Sequence, residues 1–444
     1  MSSADGPAAE VTSLCQALLR FDTSNYGDGR GPGERAAAEW VAGQLDDAGL
    51  SPTVLESAPG RASVVARLEG ADRSRPALLL HGHLDVVPAD ASHWQVDPFA
   101  GDLQPGTGPD VGETYLWGRG AVDMKDMVAM TLAVARARAT EGRLPPRDIV
   151  LAFVADEEAG GVMGAQWLVK EHAELFADAT DCVGEVGGFS VTVPGDRRIY
   201  LVEAAQKGIS WLRLTAHGRA GHGSFLNDDN AVTALSRAVA RLGSYEFPQQ
   251  LIPTVERMLR EVAEILGLPY DPEDLTPILA GLGSVARIAG ATLRHTVSPT
   301  MLSAGYKANV IPQTATATVD GRFLPGDEEG FAATVAELVG PGIDVERVHH
   351  DIGLETTFDG PVVEAMTAAL LAEDPGALPV PYCLSGGTDG KSFSTLGMRV
   401  FGFSPLRLPP DLAFAELFHG IDERVPVSGL EFGARVLDRF LDGV

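Results

Sequence analysis

The sequence predicts an α/β fold, with helices covering a sheet and a smaller α+β unit inserted into the chain. Two observations carry that prediction. Short β-type runs alternate with stretches of helical spacing, and two of the runs, Ala77–Leu80 and Ile149–Val154, are continuously apolar, as central strands covered on both faces must be. From about Gln206 the runs instead alternate apolar with polar residues, the pattern of a sheet with one solvated face.

Taken in chain order, Ala36–Leu45 has helical spacing, and β-type runs follow at Ala62–Leu68 and Ala77–Leu80. A second helical stretch near Met127–Ala139 precedes Ile149–Val154, and strands separated by helices argue for an α/β layer. Ile209–Thr215 then alternates like a half-buried strand, Asn230–Leu242 is helix-like, Ala315–Val319 is strand-like, and the turn Leu324-Pro-Gly326 closes the region. The expected organisation is a main unit of residues 1–206 and 323–444 interrupted by an insert at 207–322.

Composition narrows the class of function. The 444 residues carry 34 Lys and Arg against 61 Asp and Glu, a formal net charge of −27, which repels phosphate backbones and anionic membrane surfaces. No nucleic-acid or membrane partner is therefore expected. Hydrophobic residues make up 45% and charged residues 21%, the composition of an ordinary globular chain. The three cysteines, Cys15, Cys182 and Cys383, are scattered without a CxxC spacing, so neither a disulfide scaffold nor a thiolate zinc site is expected. Met1–Glu10 has no basic or apolar signal region, and no stretch reaches about 18 uninterrupted apolar residues, which makes a cytoplasmic protein the expectation.

Polar chemistry follows the apolar strands at once, at the carboxyl ends where open α/β sheets place their sites. In His83-Leu-Asp85, residues i and i+2 of extended chain point the same way, so the carboxylate can fix the imidazole tautomer while the other ring nitrogen binds a metal. A solvated turn histidine beside a capping aspartate is the alternative. His81 is assigned a structural role. Asp123 follows the glycine-rich Trp117-Gly-Arg-Gly120, and its two oxygens can bridge two cations; otherwise it is a helix N-cap. Asp156-Glu157-Glu158 ends an apolar strand, and three acids there are expensive unless cations or protons neutralise them. One can be a ligand and its neighbour a base, with a solvated loop as the alternative reading. Glu185 and His419 are weaker candidates. Together, two histidines and three carboxylates suit a pair of divalent cations such as Zn²⁺ that share Asp123. Leu384–Ser392 imitates a phosphate-binding loop, but Ser385 stands where that spacing demands glycine. Its glycine-rich turn, with Thr388, still makes a cradle for a carboxylate.

In their order along the chain, His-x-Asp, Gly-Arg-Gly-x-x-Asp, Asp-Glu-Glu, Gly-Glu, Gly-His, Asn-Val-Ile-Pro, Ser-Gly-Gly-Thr-Asp and a late His resemble the M20 family of zinc metallopeptidases and amidohydrolases. That family includes carboxypeptidases, aminoacylases, acetylornithine deacetylase and succinyl-diaminopimelate desuccinylase, and the resemblance covers nearly the whole chain. It implies a zinc exopeptidase-like mixed sheet, with the 207–322 insert as a lid that mediates homodimerisation. It further implies metal ligands His83, Asp123, Glu158, Glu185 and His419, with His83 and Glu185 on separate metals bridged by Asp123 and Glu158 joining His419 on the remaining positions. Asp85 is then the residue that orients His83, Glu157 the general acid/base, and His222 the histidine that reaches the partner subunit's site and holds the oxyanion. Asn309, Arg322, Gly387 and Thr388 match substrate contacts, Arg322 with its fork for an α-carboxylate. The plain alternatives are a turn for Gly221-His-Gly223 and a surface salt bridge for Arg322.

The expected function is thus a di-metal hydrolase, with two Zn²⁺ per chain and Co²⁺ or Mn²⁺ as substitutes, that cleaves an N-acyl amino acid or short peptide. An N-acetyl or N-succinyl biosynthetic deacylase is the alternative, with a nucleotide-binding enzyme or a catalytically silent binding protein more remote. The stretch Gln249–Pro299 lengthens the lid and favours the carboxypeptidase and aminoacylase branch, whose substrates carry larger acyl groups.

Overall fold

In the computed structural model, which describes residues 6–107, 111–195 and 197–444, a mixed sheet is assembled from both ends of the chain. The reading of Met1–Glu10 falls in part outside the described residues. Strand order across the sheet is Thr53–Ala58, Arg61–Leu68, Ile149–Val154, Ala77–His83, Ala179–Gly184, Arg399–Gly402, Arg197–Gln206 and Leu354–Glu355. Phe189–Val193 and Ala377–Leu384 also pair with Arg197–Gln206. The centre is parallel: Ala77–His83 lies between Ile149–Val154 and Ala179–Gly184, and Arg399–Gly402 continues in the same direction. Every residue of the two apolar strands is buried, as their unbroken hydrophobicity requires.

Helices cover both faces. On one, Lys125–Glu141 lies against Ala77–His83 and is itself covered by Val11–Leu19 and Val427–Gly443. Being packed on several sides, it buries Met127 to Ala135 without a polar stripe. Its buried cations are matched: Lys125 Nζ donates to the Phe21 carbonyl at 2.8 Å, and Arg138 contacts Asp438 and Asp442, each at 2.7 Å. Gly142, with φ 67°, ends the helix in the left-handed region. On the other face, Ala77, Leu79, Val150 and Val154 pack with Leu168 and Phe393 of the helices Ala165–Glu171 and Gly390–Ser394. This is the α/β architecture the sequence predicts.

A second, antiparallel sheet runs in the order Thr296–Ala304, Thr314–Phe323, Gly208–His217 and Ile343–Asp351. Leu212, Leu214, Ala216, Ala315, Ala317 and Val319 face the helices Ala231–Ser244 and Glu328–Val339, while Trp211 and Arg213 point outward. The alternation in sequence is therefore one covered face and one open face. Asn230 caps the first of these helices, its side chain accepting from the Thr233 N–H at 3.1 Å.

Membership of this sheet departs from the 207–322 span. Ile343–Asp351 pairs along Gly208–His217 well after residue 322, because the edge of that strand is open and the helix Glu328–Val339 returns the chain to it. The segment that lengthens the insert does the opposite. Its helix Pro253–Leu266 presents Val255, Met258, Leu259 and Val262 to the core of the large sheet and packs on Ala377–Leu384. Its apolar face has no room on the small sheet, whose inner face is already filled by two helices. Among the described residues, no helix is long and apolar enough to cross a membrane.

The packing at the strand ends is tight enough to test. A Cβ on Gly184 would lie 2.1 Å from His81 Nε2, and His81 is wedged against Phe393 with ring centroids 5.3 Å apart. Gly184→Ala is expected to cost about 1–3 kcal/mol through overpacking. The expected readout is a lower thermal midpoint, whereas an unchanged midpoint would show that His81 moves freely.

Candidate active site

Loops at the carboxyl ends of neighbouring strands meet in one cleft. His83 is the last residue of Ala77–His83, Glu157 and Glu158 follow Ile149–Val154, Glu185 follows Ala179–Gly184, and Gly386 and Gly387 follow Ala377–Leu384. Asp123 arrives just before the helix Lys125–Glu141 and is joined to Met124 by a cis peptide bond, and His419 comes from the C-terminal segment. The acidic loop is shaped by its own backbone. Asp156 sits at φ 69°, and its carboxylate accepts from the Met163 N–H at 2.9 Å and from Asn25 at 3.0 Å.

Asp123 is the hub of this cleft. One carboxylate oxygen lies 3.1 Å from His83 Nε2 and the other 3.1 Å from His419 Nε2. His83 Nε2 is also 3.4 Å from Glu185 and 4.0 Å from Glu157, while His419 Nε2 is 3.1 Å from Glu158. Each half therefore holds one imidazole, one glutamate and one oxygen of Asp123. The expectation put His83 and Glu185 on separate metals; here they lie 3.4 Å apart on the same side of Asp123, because the strands before them are adjacent and parallel.

Asp85 organises the cluster from beneath, fully buried. Its backbone carbonyl lies 2.9 Å from His83 Nδ1, and that contact, closer than the carboxylate at 3.6 Å, orients the ring with Nε2 facing the cleft. The carboxylate accepts instead from the Glu157 N–H at 3.0 Å and the Glu158 N–H at 3.1 Å, and from Asn25 Nδ2 at 2.9 Å. Glu158 is further held by the Val87 N–H at 3.2 Å.

The electrostatics show what the cluster lacks. Burial pushes the Glu157 carboxyl well above its ordinary value, and Glu185 adds to the rise. Burial and Asp123 push Glu158 up to about 7. Glu185 is raised by burial although His83 opposes it. At Asp123 burial acts upward too, but the imidazoles of His419 and His83 outweigh it and hold the carboxyl below the usual range. His419 is raised to about 10 by its contacts with Asp123 and Glu158. The acids are therefore tolerated only with positive charge among them. The donor atoms of His83, Asp123 and Glu158 lie within 4.8 Å of one another, as do those of His83, Glu157 and Glu185. Such imidazole and carboxylate donors fit divalent cations of the zinc type. His81 is no part of this, since burial lowers its pKa to about 3 and keeps it neutral.

Of the remaining expected residues, Arg322, Gly387 and Thr388 line the same cleft, beside Glu157 and His419. Arg322 is held by Asp320 at 2.7 Å. The N–H of Thr388 donates to Gln206 at 2.9 Å and its hydroxyl accepts from Gln206 at 2.8 Å, so these groups brace the turn instead of standing free for a ligand. His222 and Asn309 lie apart. His222 pairs with Val310 in a two-stranded ribbon, the Gly223 N–H donates to the Asn309 carbonyl at 2.9 Å, and the His222 ring is exposed against Ser224 and Phe225. Neither lines the cleft with Asp123.

Sequence reading missed several supports. Glu423 is fully buried and accepts from Arg119 at 2.7 Å and from the N–H groups of Gly120, Val122 and Asp123, pinning the loop that presents the hub. Its position in Phe418-His-Gly-Ile-Asp-Glu423, next to a candidate ligand, was the available signal. Asn25 and His349 had no local signal. His349 reaches the cleft from the small sheet, its ring tilted against Trp211 with centroids 4.8 Å apart.

Over residues 79–443 the chain matches the profile of peptidase family M20/M25/M40. It is 27% identical to aminoacylase-1 of Sus scrofa over 89% of this chain and 86% of that protein. It is equally 27% identical to N-fatty-acyl-amino acid synthase/hydrolase PM20D1 of Xenopus tropicalis, over 89% of this chain and 78% of that one. The M20 family metallo-carboxypeptidase Sso-CP2 of Sulfolobus solfataricus superposes with a TM-score of 0.74 at 17% identity, covering 98% of this chain and 99% of that one.

Replacing Asp85 by Asn turns one acceptor towards the Glu157 and Glu158 N–H groups into a donor. Asp85→Asn is expected to lower divalent-cation affinity about 10–100-fold, read by competition with a chromophoric chelator. Unchanged affinity would mean that the carboxylate does not position the cluster.

Proposed function

Belonging to peptidase family M20/M25/M40, the chain is a metal-dependent hydrolase of amide bonds, and we propose that it cleaves an N-acyl amino acid or short peptide at the Asp123 cluster. The observation that carries this reading is the division of that cluster into two like halves about one carboxylate. One divalent cation would be held by His83, Glu185 and an Asp123 oxygen, the other by His419, Glu158 and the second oxygen. Zn²⁺ suits the donor set, with Co²⁺ or Mn²⁺ as substitutes. Bound there, such cations polarise a carbonyl and lower the pKa of water.

Glu157 is the residue left over by this division, and it acts as the base. Its backbone is fixed by Asp85 and its carboxyl is buried beside Glu185, which strengthens its hold on a proton. It takes the proton from the attacking water and hands it to the leaving amine. Asp85 fixes the His83 ring through its backbone carbonyl. Arg322 and the turn at Gly387 receive the substrate carboxylate, the guanidinium by its planar fork.

His222 and Asn309 serve a second copy of the chain. They meet at a short ribbon, are exposed, and among the described residues line neither part of the cleft, which suits a homodimer with shared sites. In that dimer the small-sheet unit is the lid, and His222 stabilises the oxyanion.

Glu157→Gln is expected to retain bound metal by elemental analysis while turnover of N-acyl amino acids falls about 10²–10⁴-fold. Native turnover in that variant would remove Glu157 as the base. Mixing Glu157→Gln with His222→Ala, each inactive alone, is expected to restore activity, because one site of the mixed dimer then has both residues intact. A mixture that forms hybrid dimers and stays inactive would show that His222 acts within its own chain.

A further inference from the structure

The cleft has two lobes that share Glu157, Glu158, Gly386, Gly387 and His419. One, with Arg322 and His349, is polar. The other, a cavity of about 250 Å³, is walled by Phe189, Ile288, Tyr382, Leu384, Phe414 and Phe418. Its aromatic rings form a continuous surface: Phe189 lies 5.1 Å from Phe414 and 6.0 Å from Tyr382, and Phe414 lies 5.3 Å from Phe418, centroid to centroid. The Tyr382 hydroxyl is spent, since it donates to the Val186 carbonyl, and Ser385 of the glycine-rich turn is the other uncharged polar side chain in the lining. Beyond the acidic cluster and His419 at its mouth, no charged side chain lines it among the described residues.

Resting on the amide-hydrolase reading above, we infer that this lobe receives the acyl group of the substrate and selects a bulky, apolar one, with Ile288 as its specificity wall. An acyl chain of several methylenes gains from leaving water against this surface, whereas an acetyl group leaves it unfilled. A succinyl group would bring a second carboxylate into a lobe where, beyond the cluster at its mouth, no cationic side chain among the described residues meets it. The anionic end of the substrate goes the other way, to Arg322.

Ile288 stands on the short helix Ala286–Ala291, in the same segment whose preceding helices pack on the core of the large sheet. It is only half-buried, so replacing it reshapes the lobe without hollowing the core. The segment that seems from sequence to enlarge the lid is thus the piece of chain that closes the acyl lobe.

The test compares kcat/KM of the metal-loaded protein for N-octanoyl-, N-acetyl- and N-succinyl-L-leucine and for the dipeptide Phe-Leu, in the native chain and in Ile288→Trp. Folding and metal content of the variant are checked by circular dichroism and elemental analysis. The native chain is expected to prefer octanoyl over acetyl and succinyl by at least about tenfold, and Ile288→Trp to cut the octanoyl-to-acetyl ratio by at least about tenfold. Comparable rates for octanoyl and acetyl, a preference for succinyl, cleavage of Phe-Leu alone, or a ratio unmoved by Ile288→Trp would overturn the inference and leave the amide-hydrolase reading standing. Cleavage of none of the four would sink both.

Discussion

Carboxylates forced together out of water are the constraint on which the rest of this structure depends. Asp123, Glu157, Glu158 and Glu185 share one cleft, and burial raises three of them because neighbouring negative charge has nowhere to go. The imidazoles of His83 and His419 offset it, at the two oxygens of the central aspartate and directly at Glu185 and Glu158. Leaving such acids unpaired would be strongly destabilising, so the cluster demands cations, and the hydrolytic chemistry proposed for it rests on the same demand.

Holding that arrangement falls to buried acids that never face the cleft. Asp85 accepts the N–H groups of Glu157 and Glu158, and Glu423 accepts those of Gly120, Val122 and Asp123. Both clamp backbone, so the side chains in front start from fixed points. Behind Asp85 the support continues through Asn25, which also holds Asp156 and accepts from Arg61 at 3.0 Å. A densely bonded buried network of this kind is rigid, and rigidity is what a site of closely spaced charges needs.

The cleft owes its two lobes to where the chain returns. The small sheet contributes Arg322 and His349 on the polar side, and the helices after residue 253 contribute Ile288 on the apolar side. Both contributions come from the stretch that interrupts the large sheet, yet they pack on different cores. The small sheet closes its inner face on its own two helices, whereas Val255, Met258 and Leu259 join the core of the large sheet.

By itself the sequence determined the strands that carry the site and most of the residues at their ends. Unbroken apolar runs can only be central strands, and acids or histidines placed directly after them in an α/β order fall at one edge of a sheet. The ordered motifs singled out the residues of the cluster for the same reason: His83, Glu158 and Glu185 each stand at or directly after such a strand, where local geometry places them. What tertiary structure alone decided is everything that depends on pairing between distant segments. The grouping of His83 with Glu185 follows from strand adjacency, the bracing of Thr388 by Gln206 from a contact across 182 positions, and the placement of His222 and Asn309 outside the cleft from a two-residue ribbon. The destination of the helices after residue 253 belongs there too, because an amphipathic stripe states that a face must be buried and leaves open against which core.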